Sequence, residues 1–152
     1  QNPLPLAETG SDARAWVAEA LGTALVVAAV VGSGIMAERL AAGQQALALL
    51  ANTLATGAAL LALILSFGPI SGAHFNPLVS AAAAFEGRLR PGAALRFAAA
   101  QFGGGWLGTL AAQAMFGLPL IQASVRVRSG PELWLSEALA SFTLLLVIGL
   151  CS

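Results

Sequence analysis

Ser71, His74 and Asn76 fall within one short stretch, Gly68-Pro69-Ile70-Ser71-Gly72-Ala73-His74-Phe75-Asn76-Pro77-Leu78-Val79-Ser80. Serine beside histidine suggests a hydrolase, and an intramembrane serine protease is the nearest such chemistry. That reaction needs Ser and His on separate segments that converge to hydrogen-bond reach. The chain's one His stands three residues after Ser71 in the same segment, so the chain is not expected to be an enzyme. With one His and one Cys, Cys151, a zinc set within one chain is not expected either, and a lone cysteine closes no internal disulfide. No metal and no cofactor are implied.

Asn76-Pro77 carries the sharper signal. Asn is a preferred N-cap, and proline at the first helical position has no N–H to leave unpaired, so a helix starts at Pro77. It can run to about residue 86, because Gly87, Arg88 and Arg90-Pro91 stop it. Ten residues at about 1.5 Å each cover roughly half of a ~30 Å hydrocarbon core, so this half-helix 77–86 enters a membrane without crossing it. If the Asn76 side-chain oxygen caps the helix, its NH2 group remains as a fixed donor for a water or hydroxyl oxygen. The helix start also carries roughly half a positive charge, which disfavours cations and hydronium and leaves neutral solutes alone. Residues 72–75, read as extended, cannot pair their carbonyls in a helix and offer acceptors. Together these features describe a filter for uncharged polar molecules. The plainer alternative is that Asn-Pro is an ordinary turn dipeptide.

Composition places this stretch in lipid. Of 152 residues 58% are hydrophobic and 9% charged, against about 25% charged in soluble domains. The net charge is zero and the seven basic residues, all Arg, form no dense cluster, so nucleic acid is not an expected partner. Residues 1–12 read as a polar, disordered tail, at whose end Ser11 and Asp12 offer an N-cap and a first-turn carboxylate. A first span is expected over about 16–36; a signal peptide, whose apolar core is about 7–15 residues, is the weaker reading of so long a run. No charge occurs between Arg39 and Glu86, which fits a second span at about 46–67 followed by the half-helix. A third span is expected at about 92–116, with Gly103-Gly104-Gly105 and Gly108 permitting close helix approach. After a loop with Arg126 and Arg128, a fourth begins near residue 133. Arg14, Arg88, Arg90 and Arg96 then share one side and Arg39, Arg126 and Arg128 the other, a four-to-three bias toward a cytoplasmic N-terminus.

Glu19-Ala20-Leu21-Gly22-Thr23 is echoed by Glu137-Ala138-Leu139-Ala140-Ser141. The fourth span therefore opens a second repeat running opposite to the first, the architecture that builds sites at the bilayer midplane from half-helix ends. A carboxylate within a span is costly and is usually turned inward and paired. Glu19 and Glu137 are read as structural acceptors, with a proton relay as the alternative. Gln101 is read as a buried amide bracing loop backbone, since an unpaired amide in hydrocarbon costs several kcal/mol.

The run Ser71 to Ser80, Gly87-Arg88, Ala18-Glu19-Ala20-Leu21-Gly22-Thr23 and Ala100-Gln101-Phe102-Gly103-Gly104 together resemble the aquaporin and aquaglyceroporin family, the major intrinsic proteins. The resemblance covers nearly the whole chain. It departs at Leu78, where the family's first Asn-Pro-Ala becomes Asn-Pro-Leu, and in lacking a second such motif and a filter arginine. It implies an all-α membrane protein, an aquaporin-like inverted-repeat helical bundle, truncated, with four spanning helices and one re-entrant half-helix. Residues 1–12 would be the tail, 13–116 the first repeat, 117–131 the connecting loop and 132–152 the first helix of a second repeat. The implied activity is passive flux of small neutral solutes through a pore lined by Thr56, Gly72, Ala73, His74, Phe75, Asn76 and Leu78, braced by Glu19, Gln101 and Glu137. Thr56 stands about twenty residues before Asn76, where the family's water channels and glycerol facilitators carry an aromatic filter residue. A small hydroxyl there suits polyols or neutral metalloid hydroxides. The family's tetramers imply a homo-oligomer, and the bacterial aquaglyceroporins imply a bacterial plasma membrane. A channel half that inserts and associates with partner subunits without conducting is the alternative.

Overall fold

The structure is a computed structural model that describes residues 13–122 and 129–151. The expected polar tail, its Ser11 cap and the loop arginines Arg126 and Arg128 lie outside the described residues. Five helices follow one another: α1 Ala13–Leu40, α2 Gln45–Ser71, α3 Pro77–Phe85, α4 Pro91–Met115 and α5 Pro131–Cys151. No strand occurs among the described residues. The chain divides into two compact units, residues 1–120 and 121–152.

Within the first unit, α1 and α4 run side by side in the same direction. The Arg96 guanidinium lies 5.0 Å over the Trp16 ring near their N-terminal ends. Arg39 donates to the Phe116 carbonyl at 3.1 Å and covers the Phe116 ring at the other end. Between these ends the backbones touch. A Cβ at Gly104 or Gly108 would overlap the carbonyls of Ala20 and Ala24, so the four-residue glycine spacing on α4 is what lets α1 approach. α2 returns antiparallel along α1, with Ser33 Oγ 2.7 Å from Asn52 Oδ1 and Ser71 reaching Glu19.

α2 is longer than the sequence suggests. Gly68-Pro69 reads as a helix breaker, yet the helix continues through Pro69 to Ser71 and stops at Gly72, whose left-handed φ of 89° lets its N–H return to the Gly68 carbonyl. The physical reason is that apolar surroundings supply no water to an irregular backbone, so helical pairing persists past a residue that merely lacks one donor. α3 begins at Pro77 as expected. It ends at Phe85, one residue short of the expected bound, in a turn where Gly87 (φ 73°) donates to Ala84 and Arg88 donates to Ala83. That turn seats Leu89 in a buried cluster with Ala83, Ala15, Ala93 and Phe97, which fastens the half-helix to α4 and to the start of α1.

Three helices are long and apolar enough to cross a membrane: α1, α2 and α5. α4, the other expected span, has 25 residues but carries Arg96, Gln101, Gln113 and several glycines, which lower its apolar content. The outward surfaces of α1, α2 and α4 are leucine-rich, with Leu54, Leu65, Leu95 and Leu107 exposed. In the second unit, α5 holds Ser136 and Thr143 with their hydroxyls turned back to the carbonyls of Leu133 and Leu139, so these two hydroxyls are satisfied within the helix.

Candidate functional site: a half-helix start held by a buried carboxylate

Glu19 sits one turn into the packed part of α1 with no exposed surface, and four donors converge on it. Ser71 Oγ donates to Oε1 at 2.5 Å and the His74 N–H to the same oxygen at 3.0 Å. The Phe75 N–H donates to Oε2 at 2.8 Å and Gln101 Nε2 at 2.7 Å. The loop between α2 and α3 is shaped by this demand. Residues 72–75 are not extended: Gly72, Ala73 and Phe75 have φ of 89°, 51° and 48°. Left-handed residues on either side of His74 turn the His74 and Phe75 N–H groups toward one concave side, a nest for a negative charge, and here the charge is the protein's own. Across a planar trans peptide the carbonyl opposes the N–H, so the Ala73 and His74 carbonyls face away from Glu19.

Asn76 closes the loop in extended conformation, and its Oδ1 accepts from the Leu78 N–H at 2.9 Å. With Oδ1 engaged, the two Nδ2 hydrogens remain for another partner. His74 turns Nδ1 to Ser80 Oγ at 3.0 Å and packs its ring edgewise on Phe97, centroids 5.5 Å apart. Phe75 is buried edge-on against Phe67, and its ring occupies the space a side chain at Gly22 would need. Leu78 is exposed on the first turn of α3.

The expected residues thus fall into three groups. Gly72, Ala73, His74, Phe75, Asn76 and Leu78 form one continuous segment in which Gly72 and Leu78 are exposed, His74 and Asn76 are half-buried, and Ala73 and Phe75 are buried, with Glu19 and Gln101 behind it. Gln101 reaches the loop through Glu19 and Ser80, not through loop backbone, because both hydrogens of its NH2 are taken by those two side chains. Thr56 is half-buried on α2, fifteen residues before Ser71 and so about 22 Å away along the helix axis. Glu137 is exposed on α5, in the second unit.

Ser80 was not singled out from sequence, although it is fully buried and bonded to Gln101 and His74. The available signal was its place four residues after Asn76, the one hydroxyl on an otherwise apolar half-helix. Ser71, weighed as a nucleophile, gives its hydrogen to Glu19 and accepts from the Ala73 N–H at 3.1 Å. An apolar groove of about 380 Å³ between the far ends of α1 and α2, lined by Met36, Leu40 and Leu47 among others, contains none of the loop residues.

Residues 7–151 match the family described as Major intrinsic protein. The chain is 54% identical over 135 residues to Aquaglyceroporin AqpS of Rhizobium meliloti (strain 1021), an alignment covering 89% of this chain and 58% of that protein. It therefore spans somewhat over half the length of the curated relative it matches. No solved structure matches the chain. With a family match over nearly its whole length and helices apolar enough to cross a bilayer, the chain is an integral membrane protein of the major intrinsic protein family, a family of channels and not of enzymes.

Proposed function

We propose that this chain forms one wall of a passive channel for small neutral solutes, water and polyols such as glycerol, with neutral metalloid hydroxides as further candidates. The relative's name, aquaglyceroporin, supports the polyol reading. The observation that carries it is the Asn76 cap: Oδ1 is engaged by Leu78 N–H, so a donor pair stands at the positive end of a half-length helix. Beside it, the Ala73 and His74 carbonyls face away from Glu19 as acceptors. Fixed acceptors beside a fixed donor pair suit a hydroxyl-bearing solute, while the helix end opposes cations and protons.

In this reading α4 is the third crossing and residues 13–116 are the first repeat, with four spans and one re-entrant helix in all. Residues 117–131 connect it to α5, which opens the second repeat with Glu137 in the place of Glu19. Apart from Ser71, α2 buries none of its residues, so the remaining walls come from further protein, in the same polypeptide or a neighbouring subunit of a homo-oligomer such as a tetramer. The membrane is the bacterial plasma membrane.

The test is vesicle swelling with glycerol, comparing the assembled channel, with its remaining walls present, with its Asn76→Asp variant at equal membrane abundance. The Asp side chain still caps the helix but places a negative charge where a neutral donor stood. Glycerol flux is expected to fall, with a cation leak appearing. Equal flux and no leak would refute the assignment.

A further inference from the structure

Ser80 belongs to a hydrogen-bond chain that the proposed flux does not itself require. Its Oγ meets Gln101 Nε2 at 3.0 Å, His74 Nδ1 at 3.0 Å and the Asn76 carbonyl at 3.4 Å. The direction of each bond can be assigned from the far end. Glu19 Oε2 is an acceptor 2.7 Å from Gln101, so the amide must turn its NH2 toward it. The second hydrogen of that NH2 then falls on Ser80 Oγ. This orientation leaves Gln101 Oε1 buried without a partner, and the reverse would be worse, since it would aim a carbonyl oxygen at a carboxylate.

Ser80 accepts from Gln101 and therefore has one hydrogen of its own to give. The Asn76 carbonyl already takes the Ser80 backbone N–H at 3.1 Å and stands at the outer limit of a hydrogen bond from Oγ. His74 Nδ1 is nearer. An imidazole that accepts at Nδ1 carries its hydrogen on Nε2. We propose that Ser80 is a positioning residue that holds His74 in the Nε2–H tautomer, so that the ring offers a donor to an oxygen-bearing solute beside Gly72. Nε2 lies on that side: a Cβ at Gly72 would stand 3.3 Å from it, and Gly72 is exposed whereas Ser80 is fully buried. The Phe97 edge contact keeps the ring from turning over. This donor precedes that of Asn76 along the same surface.

The use of the donor rests on the channel reading; the tautomer does not. The chain has one histidine, so nitrogen NMR of protein labelled with 15N-histidine reports His74 alone. The expected spectrum shows an unprotonated Nδ1 and a protonated Nε2. Ser80→Ala should give a mixture of tautomers, and Ser80→Thr should restore the single form. A hydrogen on Nδ1 in the wild type, or a single unchanged tautomer in Ser80→Ala, overturns the proposal. In vesicles, a ring that offers its donor in only half of the molecules should lower glycerol flux about two-fold in Ser80→Ala, with recovery in Ser80→Thr. An altered tautomer with unchanged glycerol flux overturns the functional half of the proposal. Wild-type vesicles in which the remaining walls are also present and that still pass no glycerol refute the channel reading, and the NMR result then stands or falls separately.

Discussion

Replacing Glu19 separates an acceptor from a charge. In Glu19→Leu the four donors lose their partner at once: the Ser71 hydroxyl, the His74 and Phe75 N–H groups and the Gln101 amide. The two side chains can rotate to other acceptors, but the two backbone donors are fixed by the loop. Leaving a buried donor unpaired costs about 1–3 kcal/mol, so Glu19→Leu should destabilise by about 2–6 kcal/mol. In Glu19→Gln one oxygen remains. If the new NH2 faces Ser71, that hydroxyl can reverse and accept, and only the His74 N–H is orphaned, a loss of about 1–3 kcal/mol. Thermal unfolding of the helices in detergent, followed by circular dichroism, should therefore rank wild type above Gln and Gln above Leu. A Leu variant that melts with or above the Gln variant would refute the claim that the carboxylate is there to accept. A proton relay makes a different prediction, because it tolerates neither substitution in a pH-gradient-driven uptake assay.

Two further outcomes follow from packing. Gly104→Val should destabilise by about 1–3 kcal/mol or more, since its Cβ would overlap the Ala20 carbonyl, whereas Gly103→Val, with open space around its Cβ, should leave the unfolding midpoint nearly unchanged. Equal midpoints in the two variants would mean that α1 and α4 do not meet at this spacing. In the assembled channel of the proposed reading, Thr56→Phe should reduce glycerol or arsenite uptake more than water uptake, because a ring at the proposed filter would narrow it; an unchanged ratio would remove Thr56 from the filter.

The half-helix was legible because every local signal agreed: Asn76 as cap, Pro77 at the first position and Gly87 beyond the end are each chemically suited to one place. The close packing of α1 on α4 was legible in kind but not in partner, since Gly104 and Gly108 announce a near backbone without saying whose. The end of α2 was misread because Gly68-Pro69 breaks helices in water, where a freed carbonyl is solvated, and here it does not. The loop conformation was also beyond reach. Ala73 and Phe75 carry no mark of left-handed backbone, and what imposes it lies more than fifty residues away, in Glu19. Ser80 was missed for a related reason, because its partners His74 and Gln101 are joined to it only once the half-helix has docked on α4.

That docking explains why a strained loop persists. A left-handed conformation costs an ordinary residue about 1–2 kcal/mol, so Ala73 and Phe75 together cost about 2–4 kcal/mol. Hydrogen bonds to a charged group contribute about 1.5–3 kcal/mol each, so the His74 and Phe75 N–H groups on Glu19 return about 3–6 kcal/mol. The two sums are comparable, so the bonds to Glu19 offset the strain of the loop. Glycine at residue 75 would remove part of the strain but also the ring that fills the space at Gly22 and meets Phe67. The same nest that turns two N–H groups toward Glu19 turns the Ala73 and His74 carbonyls away from it, so the acceptors that the proposed channel would use are a consequence of how the loop's donors are satisfied. Glu19 thereby sets the chemistry of a face that it does not touch.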